Sequence, residues 1–269
     1  MFVRLDAGIT RGEVWDPQQR RIKAQARQLE QMRKKLSEKD QQVALWEAVK
    51  DDEVEWWQGW FVTKGRQWPW DYKPRLDPEE PLQDRIIRHL STPPGGTVSI
   101  LDVGAGPLTT LGKRWEGRVV QITAVDPLAD EYKHLLAEVN ITPPVQTQFG
   151  EVERLTELFP RNHFDLVHMQ NALDHSYDPL LGIQQMLEVV KPRGCVLLLH
   201  EVNEGYRTNY VGLHQWNFCA ENGHFIVWNR NIRVSVNDAL GDIAQITVDD
   251  NEDERGYEKA IFVSLRKKG

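Results

Sequence analysis

The chain has 269 residues, of which 33 are Lys or Arg and 40 are Asp or Glu, so its formal net charge at pH 7 is -7. Residues 1–50 hold 11 basic and 7 acidic side chains, a net charge of +4, which leaves -11 for the remainder. Nucleic-acid binding depends on cationic surface that neutralises phosphates, so we expect no nucleic-acid partner for the acidic remainder. Small molecules, saccharides and proteins remain open as partners.

With 40% hydrophobic residues, the chain can bury one sizeable α/β core and a small appendage. No apolar run approaches the roughly 20 residues of a membrane helix, and residues 1–10 lack the apolar segment of a secretory signal. Cys195 lies in an apolar run and Cys219 in a polar one, so no disulfide is implied. We therefore expect a cytoplasmic protein without a membrane span.

Residues 18–49 contain strong helix formers and neither Gly nor Pro, which predicts a long helix. One heptad position is apolar at Ile22, Leu29, Leu36 and Val43, and the second holds Met32 and Trp46 but is interrupted by Gln25 and Lys39. This seam favours a self-associating coiled coil and hence a homo-oligomer. The alternative is a solvated helix that packs one stripe on its own domain.

A dense aromatic segment follows at residues 53–72 and contains five of the ten tryptophans. Rings at this density either form a satellite core or stack on a sugar or planar substrate. Several prolines then break regular structure, and residues 82–90 predict an amphipathic helix. We therefore divide the chain into an N-terminal extension (1–50), an aromatic cap (51–95) and a main domain (96–269).

From residue 98 the predicted elements alternate between strand and helix, which is typical of a parallel sheet with helices on both faces. The strands are predicted at 98–103, 119–125, 145–149, 164–169 and 195–200, and the helices at 109–115, 130–140, 152–158 and 179–190, with a turn at 192–194. Beyond them we expect a hairpin of strands 224–228 and 232–236, a helix at 237–244 capped by Asn237, strands at 245–248 and 259–265, and a solvated acidic turn at 249–254. Ligands of open sheets bind at the carboxyl ends of the strands, so residues that follow the strands are the site candidates.

The end of the first strand carries the most informative motif, Asp102-Val103-Gly104-Ala105-Gly106. The glycines can adopt positive φ and admit a ligand close to the backbone, and the helix predicted at 109–115 would add unpaired N–H groups. A dinucleotide fingerprint needs a third glycine where Thr109 stands. Asp102 would repel a pyrophosphate, whereas it would attract the ammonium and sulfonium groups of S-adenosylmethionine.

The motif resembles the acidic-x-G-x-G first motif of the class I S-adenosylmethionine-dependent methyltransferases. The resemblance covers about residues 90–266. It implies an α/β, Rossmann-like methyltransferase fold, with a mostly parallel seven-stranded sheet that ends in an antiparallel pair and helices on both faces, plus the N-terminal helical extension. It also implies S-adenosylmethionine as the cofactor and methyl transfer as the activity.

Acidic residues after the second and third strands complete the predicted cofactor site. A carboxylate at Asp126 can accept both ribose hydroxyls, although an aspartate that caps the turn at Pro127 is the alternative. In the family an acid near the adenine amino group follows the third strand, where Gly150 and Glu151 stand, and Phe149 would cover the adenine face. The predicted cofactor residues are Asp102, Gly104, Gly106, Asp126, Pro127, Phe149, Gly150, Glu151 and Asn171.

The fourth strand leads into residues 170–179, which resemble the family's fourth motif, beside the transferred methyl group. A hydroxyl acceptor benefits from a general base, and histidine titrates in the right range for that role. The predicted catalytic residues are His175, the preferred base, with His200 and Asp174. The predicted acceptor pocket holds Glu201, Tyr206, His214 and Trp216.

Three alternatives stay open beside O-methylation of a saccharide or small hydroxylated metabolite. A divalent metal could be held by Asp174, His175, His200 and Glu201, but no tight ligand spacing supports it, so no metal site is predicted. A nicotinamide-dependent reductase would share the glycine motif and Asp126 but would need a Tyr-x-x-x-Lys pair that the sequence lacks. A non-catalytic interaction protein of the same fold would act through the N-terminal helix.

Overall fold

The computed structural model describes residues 40, 43, 44, 47, 48, 50–66, 68–249 and 260–269. Both sheets lie within the compact unit formed by residues 44–269. The coiled coil predicted at 18–49 and the acidic turn predicted at 249–254 lie almost entirely outside the described residues. Among the residues that are described, no helix is long and apolar enough to cross a membrane.

The described residues form ten strands in two sheets. They are β1 (Thr97–Val103), β2 (Val119–Asp126), β3 (Thr147–Phe149), β4 (Phe164–Gln170), β5 (Val190–Glu201), β6 (Asn217–Glu221), β7 (His224–Trp228), β8 (Arg233–Ser235), β9 (Ala244–Asp249) and β10 (Ala260–Lys267). The main sheet has the order β3-β2-β1-β4-β5-β10-β9, and β6-β7-β8 form a second, antiparallel sheet. Strands β1 to β5 are parallel, whereas β10 is antiparallel to both β5 and β9. The predicted fold class is confirmed.

Helices cover both faces of the main sheet. They are α1 (50–62), α2 (Pro69–Leu76), α3 (Asp84–Ile87), α4 (Ala129–Glu138), α5 (Leu155–Leu158), α6 (Pro179–Val189), α7 (Glu204–Arg207) and α8 (Val236–Leu240), with 3-10 turns at Val152–Arg154 and Leu173–His175. Successive residues of β1 point to opposite faces: Ile100 packs in the cluster of Ile86 from α3, and Leu101 in the cluster of Ile183 from α6. Because both faces are buried, β1 places apolar residues on each of them.

The aromatic cap forms a satellite core. Trp57, Trp60 and Phe61 of α1 are buried together with Leu108 and the apolar face of α4. Their rings meet edge to face, with centroids 5.4 Å apart for Trp57 and Trp60 and 5.3 Å apart for Trp60 and Phe61. This geometry is favourable for aromatic pairs and agrees with the core interpretation of these rings. Trp70, by contrast, is 56% exposed.

The helix predicted at 109–115 is wrong, because this segment runs as an irregular loop against residues 80–82. The N–H groups of Lys113 and Arg114 donate to the carbonyl of Glu80 at 2.7 and 3.1 Å, so backbone donors that a helix would need are paired elsewhere. A Cβ on Gly112 would lie 1.9 Å from the Pro81 carbonyl oxygen, which shows how closely the two segments pack. The glycine turn therefore leads into a loop, and it receives no helix N-terminus.

The turn predicted at 192–194 is a bulge within β5. Pairing of β4 with β5 shifts register between Phe164, which lies opposite Val190, and Leu166, which lies opposite Cys195. Arg193 takes a left-handed φ of 65° inside this bulge. The strand therefore begins before its predicted start, and regular pairing resumes at Cys195.

Strand β6 was not predicted. It pairs with β7 through Asn222 and Gly223, whose φ angles of 50° and 78° fit the tight turn that joins two antiparallel strands. Asn-Gly is the strongest short-range hairpin signal in a sequence, and the polar residues of β6 masked it. The predicted hairpin of β7 and β8 is confirmed, with Trp228 opposite Arg233.

Three predicted helices have different bounds. Residues 82–90 form only the single turn of α3, and 152–158 divide into a 3-10 turn and α5. Helix α8 begins at Val236 and is capped by Ser235, whose hydroxyl accepts the Asp238 N–H at 3.2 Å. The predicted cap at Asn237 is wrong, because its side-chain oxygen accepts the Phe225 N–H at 2.9 Å instead. A tertiary partner has replaced the local one.

Candidate functional site

The glycine turn after β1 has the backbone conformation that the sequence predicts. Gly104 and Gly106 have φ angles of 63° and 62°, which residues with a Cβ rarely adopt. A Cβ on Gly104 would lie 2.4 Å from the Ala172 side chain, and one on Gly106 would lie 2.8 Å from the Trp57 ring. The loop after β4 and helix α1 therefore both lie in close contact with the turn.

Asp102 lies beneath this turn and is only 2% exposed. Its Oδ2 accepts the hydroxyl of Thr109, and its Oδ1 lies 2.7 Å from Nδ1 of His168 on β4. His168, which the sequence did not single out, is the register partner of Asp102. Both carboxylate oxygens of Asp102 thus have protein partners, which fix the start of the turn. The predicted attraction of Asp102 to a cationic cofactor would therefore act through space and not through a direct hydrogen bond.

Asp126 ends β2 and binds the same turn from the side. Its Oδ2 accepts the Gly106 N–H at 3.0 Å and its Oδ1 accepts the Leu128 N–H at 2.9 Å. Burial outweighs these two bonds and raises the pKa of the carboxyl to about 7. An ionised carboxylate offers about four lone-pair positions, so two remain for hydroxyl donors. The cap at Leu128 and a ribose contact are compatible.

The residues predicted at the adenine and at the methyl group lie at the same edge of the sheet. Phe149, at the end of β3, is 55% exposed, and the Gly150 N–H donates to the Asp126 carbonyl at 3.3 Å. Glu151 pairs with Arg154 at 3.7 Å. Asn171 follows β4 with a left-handed φ of 47° and donates its N–H to the Leu199 carbonyl. Pro127, half-buried, follows Asp126.

A second group of polar side chains, the histidine cluster, consists of Asp174, His175 and His214. Nδ1 of His214 lies 2.7 Å from Oδ2 of Asp174 and 3.1 Å from Nε2 of His175, and that Nε2 lies 3.5 Å from the same carboxylate oxygen. Glu204 of α7 lies at the edge of the cluster, with its Oε1 3.7 Å from Nδ1 of His214. The cluster joins residues that are far apart in sequence.

Local hydrogen bonds hold the cluster beside the glycine turn. Asp174 and His175 lie on a 3-10 turn in which the His175 N–H donates to the carbonyl of Ala172, the residue that touches Gly104. The loop that carries His214 docks through the Gln215 N–H, which donates to the Asp174 carbonyl at 3.1 Å. The histidine cluster is therefore held next to Ala172, the residue that contacts the predicted cofactor turn.

The cluster strongly changes the acid strength of its members. Burial opposes ionisation of Asp174, but the neighbouring His175 and His214 outweigh it and lower the pKa of that carboxyl to about 2. Burial disfavours the charged form of His214, yet its hydrogen bond and charge interaction with Asp174 raise the pKa of the imidazole to about 9. Burial and the nearby Asp174 charge raise the pKa of Glu204 to about 8.

The other predicted catalytic and acceptor residues have different environments. His200 is 1% exposed, neither of its ring nitrogens has a hydrogen-bond partner, and burial lowers its pKa to about 4. Trp216 is a core residue whose indole N–H donates to the Ser176 carbonyl at 2.8 Å. Tyr206 is 68% exposed, and Glu201 pairs with Arg207 at 2.5 Å. Of the four predicted acceptor residues, His214 alone enters the histidine cluster.

Sequence reasoning missed three residues that shape the site: His168, Glu204 and Trp57. A histidine within the apolar run of β4 was a signal for His168, but its partner Asp102 depends on strand register. Glu204 stood in a polar stretch without a recognisable pattern. Trp57 was noted among the aromatic residues, yet only the fold places its ring on Gly106.

A family model described as a methyltransferase domain matches residues 26–236. No curated protein matches the sequence. Among solved structures, the CurJ carbon methyltransferase is 13% identical with a TM-score of 0.44 over 66% of this chain. The citrinin polyketide synthase CMeT domain is 12% identical with a TM-score of 0.44 over 68% of this chain. This chain spans 50% of the length of each of those two chains.

A SAM-dependent methyltransferase from Aquifex aeolicus is 15% identical with a TM-score of 0.40, and the match covers 71% of this chain and 90% of that one. These three likenesses are distant. The family assignment follows from the family model, which covers well over half of the chain.

Proposed function

Because this chain belongs to the methyltransferase-domain family, within the class I S-adenosylmethionine-dependent methyltransferases, we propose that it transfers the methyl group of S-adenosylmethionine to a hydroxyl group of a saccharide or small hydroxylated metabolite. S-adenosylmethionine is the cofactor of this family. The nicotinamide-dependent reductase and the non-catalytic protein are not favoured by the family match.

The residues at the carboxyl edge of β1 to β4 suit this cofactor. Asp126 keeps two lone-pair positions for the ribose hydroxyls after its two backbone bonds. The exposed ring of Phe149 offers a face for the adenine, and Glu151, two residues further along the chain, offers a carboxylate for the amino group. Gly104 and Asn171 flank the position proposed for the methionine part. When bound, the cofactor supplies an electrophilic methyl group on a sulfonium.

The histidine cluster is the observation that carries the proposed chemistry. Its 3-10 turn follows Ala172, which packs against Gly104, so an acceptor bound at the cluster would lie next to the cofactor turn. Methyl transfer requires in-line alignment of the acceptor oxygen at about 3 Å from the methyl carbon. Rigid docking of the loop at Gln215 and the buried Asp174 would provide that alignment.

The acceptor hydroxyl must lose its proton, and the geometry favours His175 over His200 as the base. The His175 side chain is 17% exposed and its Nε2 contacts the cluster, whereas His200 is buried without access to a substrate. His175 would then take the proton while Asp174 and His214 hold its ring in place. His175 therefore remains the proposed general base, as it was in the sequence analysis.

The test is a screen of sugars, catechols and related hydroxylated compounds for formation of S-adenosylhomocysteine and a methylated product. Single-turnover rates of His175→Ala should fall by roughly 10²- to 10⁴-fold, the usual value of a general base. His134→Ala, which changes an exposed histidine on α4, is the matched control and should keep the wild-type rate. If the full chain fails to bind S-adenosylhomocysteine in calorimetry, the proposed activity is wrong.

We further propose that the protein works in the cytoplasm as a homo-oligomer assembled through residues 18–49, without a nucleic-acid partner. The heptad of apolar residues supports the assembly, and the net charge of -11 beyond residue 50 supports the exclusion of nucleic acid. The division into extension, aromatic cap and catalytic domain remains part of this proposal.

A further inference from the structure

Three ligand-type atoms converge in the histidine cluster: Oδ2 of Asp174, Nε2 of His175 and Nδ1 of His214. Their pairwise separations are 2.7, 3.1 and 3.5 Å. The side chain of Asp174 is 2% exposed, and those of His175 and His214 are 17% and 31% exposed. The group is thus buried on the carboxylate side and open on the histidine side.

Protons alone satisfy this arrangement poorly. If Nδ1 of His214 carries a hydrogen and donates it to Asp174, the same nitrogen can neither donate to nor accept from Nε2 of His175. That Nε2 then lacks a hydrogen-bond partner on His214. If Nε2–H of His175 donates to Nδ1 of His214, Nδ1 acts as an acceptor. It then lies 2.7 Å from Oδ2 of Asp174, a second acceptor, with no hydrogen between them. A single cation between the three atoms would satisfy all of them at once.

The separations match those of ligands on one metal ion. Bonds of about 2.0 to 2.2 Å from Zn²⁺ to histidine nitrogen or carboxylate oxygen place neighbouring ligands about 3.3 Å apart in a tetrahedron. The observed distances of 3.1 and 3.5 Å are close to this edge length, and the 2.7 Å between Nδ1 of His214 and Oδ2 of Asp174 would lengthen when the proton between them is replaced by the ion. Small side-chain rotations would therefore complete the ligand geometry.

Two further observations point to a ligand. Oδ1 of Asp174 is buried and has no hydrogen-bond partner, which is costly for a polar atom removed from water. Glu204 brings a second, largely buried carboxylate to the edge of the cluster, with Oε1 3.7 Å from Nδ1 of His214. A divalent cation bound here would displace protons from the cluster and balance the charge of its carboxylates.

We propose that Asp174, His175 and His214 bind a divalent transition-metal cation of the Zn²⁺ type, with the fourth position open and Glu204 beside His214 at its edge. Two imidazoles and carboxylate oxygens suit zinc and its neighbours better than calcium or magnesium, which prefer oxygen alone. This site differs from the set weighed from the sequence, because it uses His214 in place of His200 and does not use Glu201. The sequence predicted no metal site, and the proposal departs from that prediction.

The use of the ion rests on the proposed O-methylation, whereas its binding does not. A cation at this place would hold the acceptor oxygen and lower the pKa of its hydroxyl, so the proton leaves to solvent or to a nearby base. Direct proton transfer to His175 and this metal-assisted route are alternatives for the same step, since a histidine that ligates a metal through Nε2 has no lone pair left there for a proton.

The test titrates Zn²⁺ into the chelator-treated full chain, without an affinity tag, by calorimetry, and records the visible spectrum with Co²⁺. We expect one ion per chain and a tetrahedral Co²⁺ spectrum. His214→Ala should weaken Zn²⁺ binding by more than the roughly 10- to 100-fold typical of losing an outer-shell partner, because it removes a direct ligand. Asp174→Asn should do the same, and His134→Ala should bind like wild type.

The proposal is overturned if the wild-type chain binds no Zn²⁺, or if folded His214→Ala binds it with unchanged affinity. His214 lies in a partly exposed loop, so this variant should keep the fold even if Asp174→Asn does not, and circular dichroism checks this. Calorimetry with S-adenosylhomocysteine and the acceptor screen are separate measurements. They reveal a failure of the proposed methyl transfer independently of metal binding.

Discussion

Glu153 gives the sharpest stability prediction because its buried carboxyl anchors the loop that follows the histidine cluster. It lies in the 3-10 turn before α5 and is only 6% exposed. Its Oε1 accepts the N–H groups of Tyr177 and Asp178 at 2.8 and 3.1 Å. Gln at this position keeps an oxygen that can accept both bonds and cannot ionise.

The magnitude follows from the pKa of Glu153, which burial raises from 4.5 to about 7. Between these values the unfolded chain loses the proton while the folded chain retains it, so the folded state binds more protons and stability falls as pH rises. The contribution is complete below pH 4.5 and is lost as pH rises through 7. At about 1.4 kcal/mol per pKa unit, the loss is on the order of 3 kcal/mol.

We therefore expect Glu153→Gln to become more stable relative to wild type as pH increases, by about 2 to 3 kcal/mol between pH 5 and pH 8. Urea unfolding at both pH values, followed by tryptophan fluorescence and circular dichroism, measures this difference. Glu116→Gln, in the exposed turn before β2, is the matched control and should follow the wild-type pH dependence. A constant stability difference between Glu153→Gln and wild type at both pH values would refute the reasoning.

Two further predictions concern the cofactor and the oligomer. Asp126→Ala should weaken S-adenosylhomocysteine binding by about 10- to 150-fold, the equivalent of about 1.5 to 3 kcal/mol for a charged hydrogen-bonding partner, whereas Asp130→Ala on the exposed side of α4 should not. Unchanged calorimetric affinity in a folded Asp126→Ala would contradict the ribose assignment. Light scattering should show a full-length oligomer and a monomer for a chain that starts near Asp51; a monomeric full-length chain would exclude the coiled coil.

Much of the edge where the cofactor is proposed to bind could be predicted from sequence in its conformation, because it depends on local signals. A short apolar strand, a glycine pair and an acid at the end of the next strand are each contiguous, and Gly104 and Gly106 adopt the expected positive φ. The parallel sheet followed from the alternation of strands and helices. The helix at 109–115 failed because its backbone groups pair with residues 80–82, a contact that no local pattern announces.

The residues that converge on the histidine cluster could not be predicted as a set. Asp174 and His175 are neighbours in sequence, but His214 and Glu204 arrive from the segment after β5, and the irregular loop 208–216 decides where they lie. The same applies to Trp57 on Gly106 and to His168 against Asp102. Sequence by itself determined most element types, the conformation of the glycine turn and the fold class, because hydrophobic period and backbone preference act over a few residues. Only the tertiary structure decided which polar side chains share one buried space, because strand register and loop docking are set by packing across the whole domain.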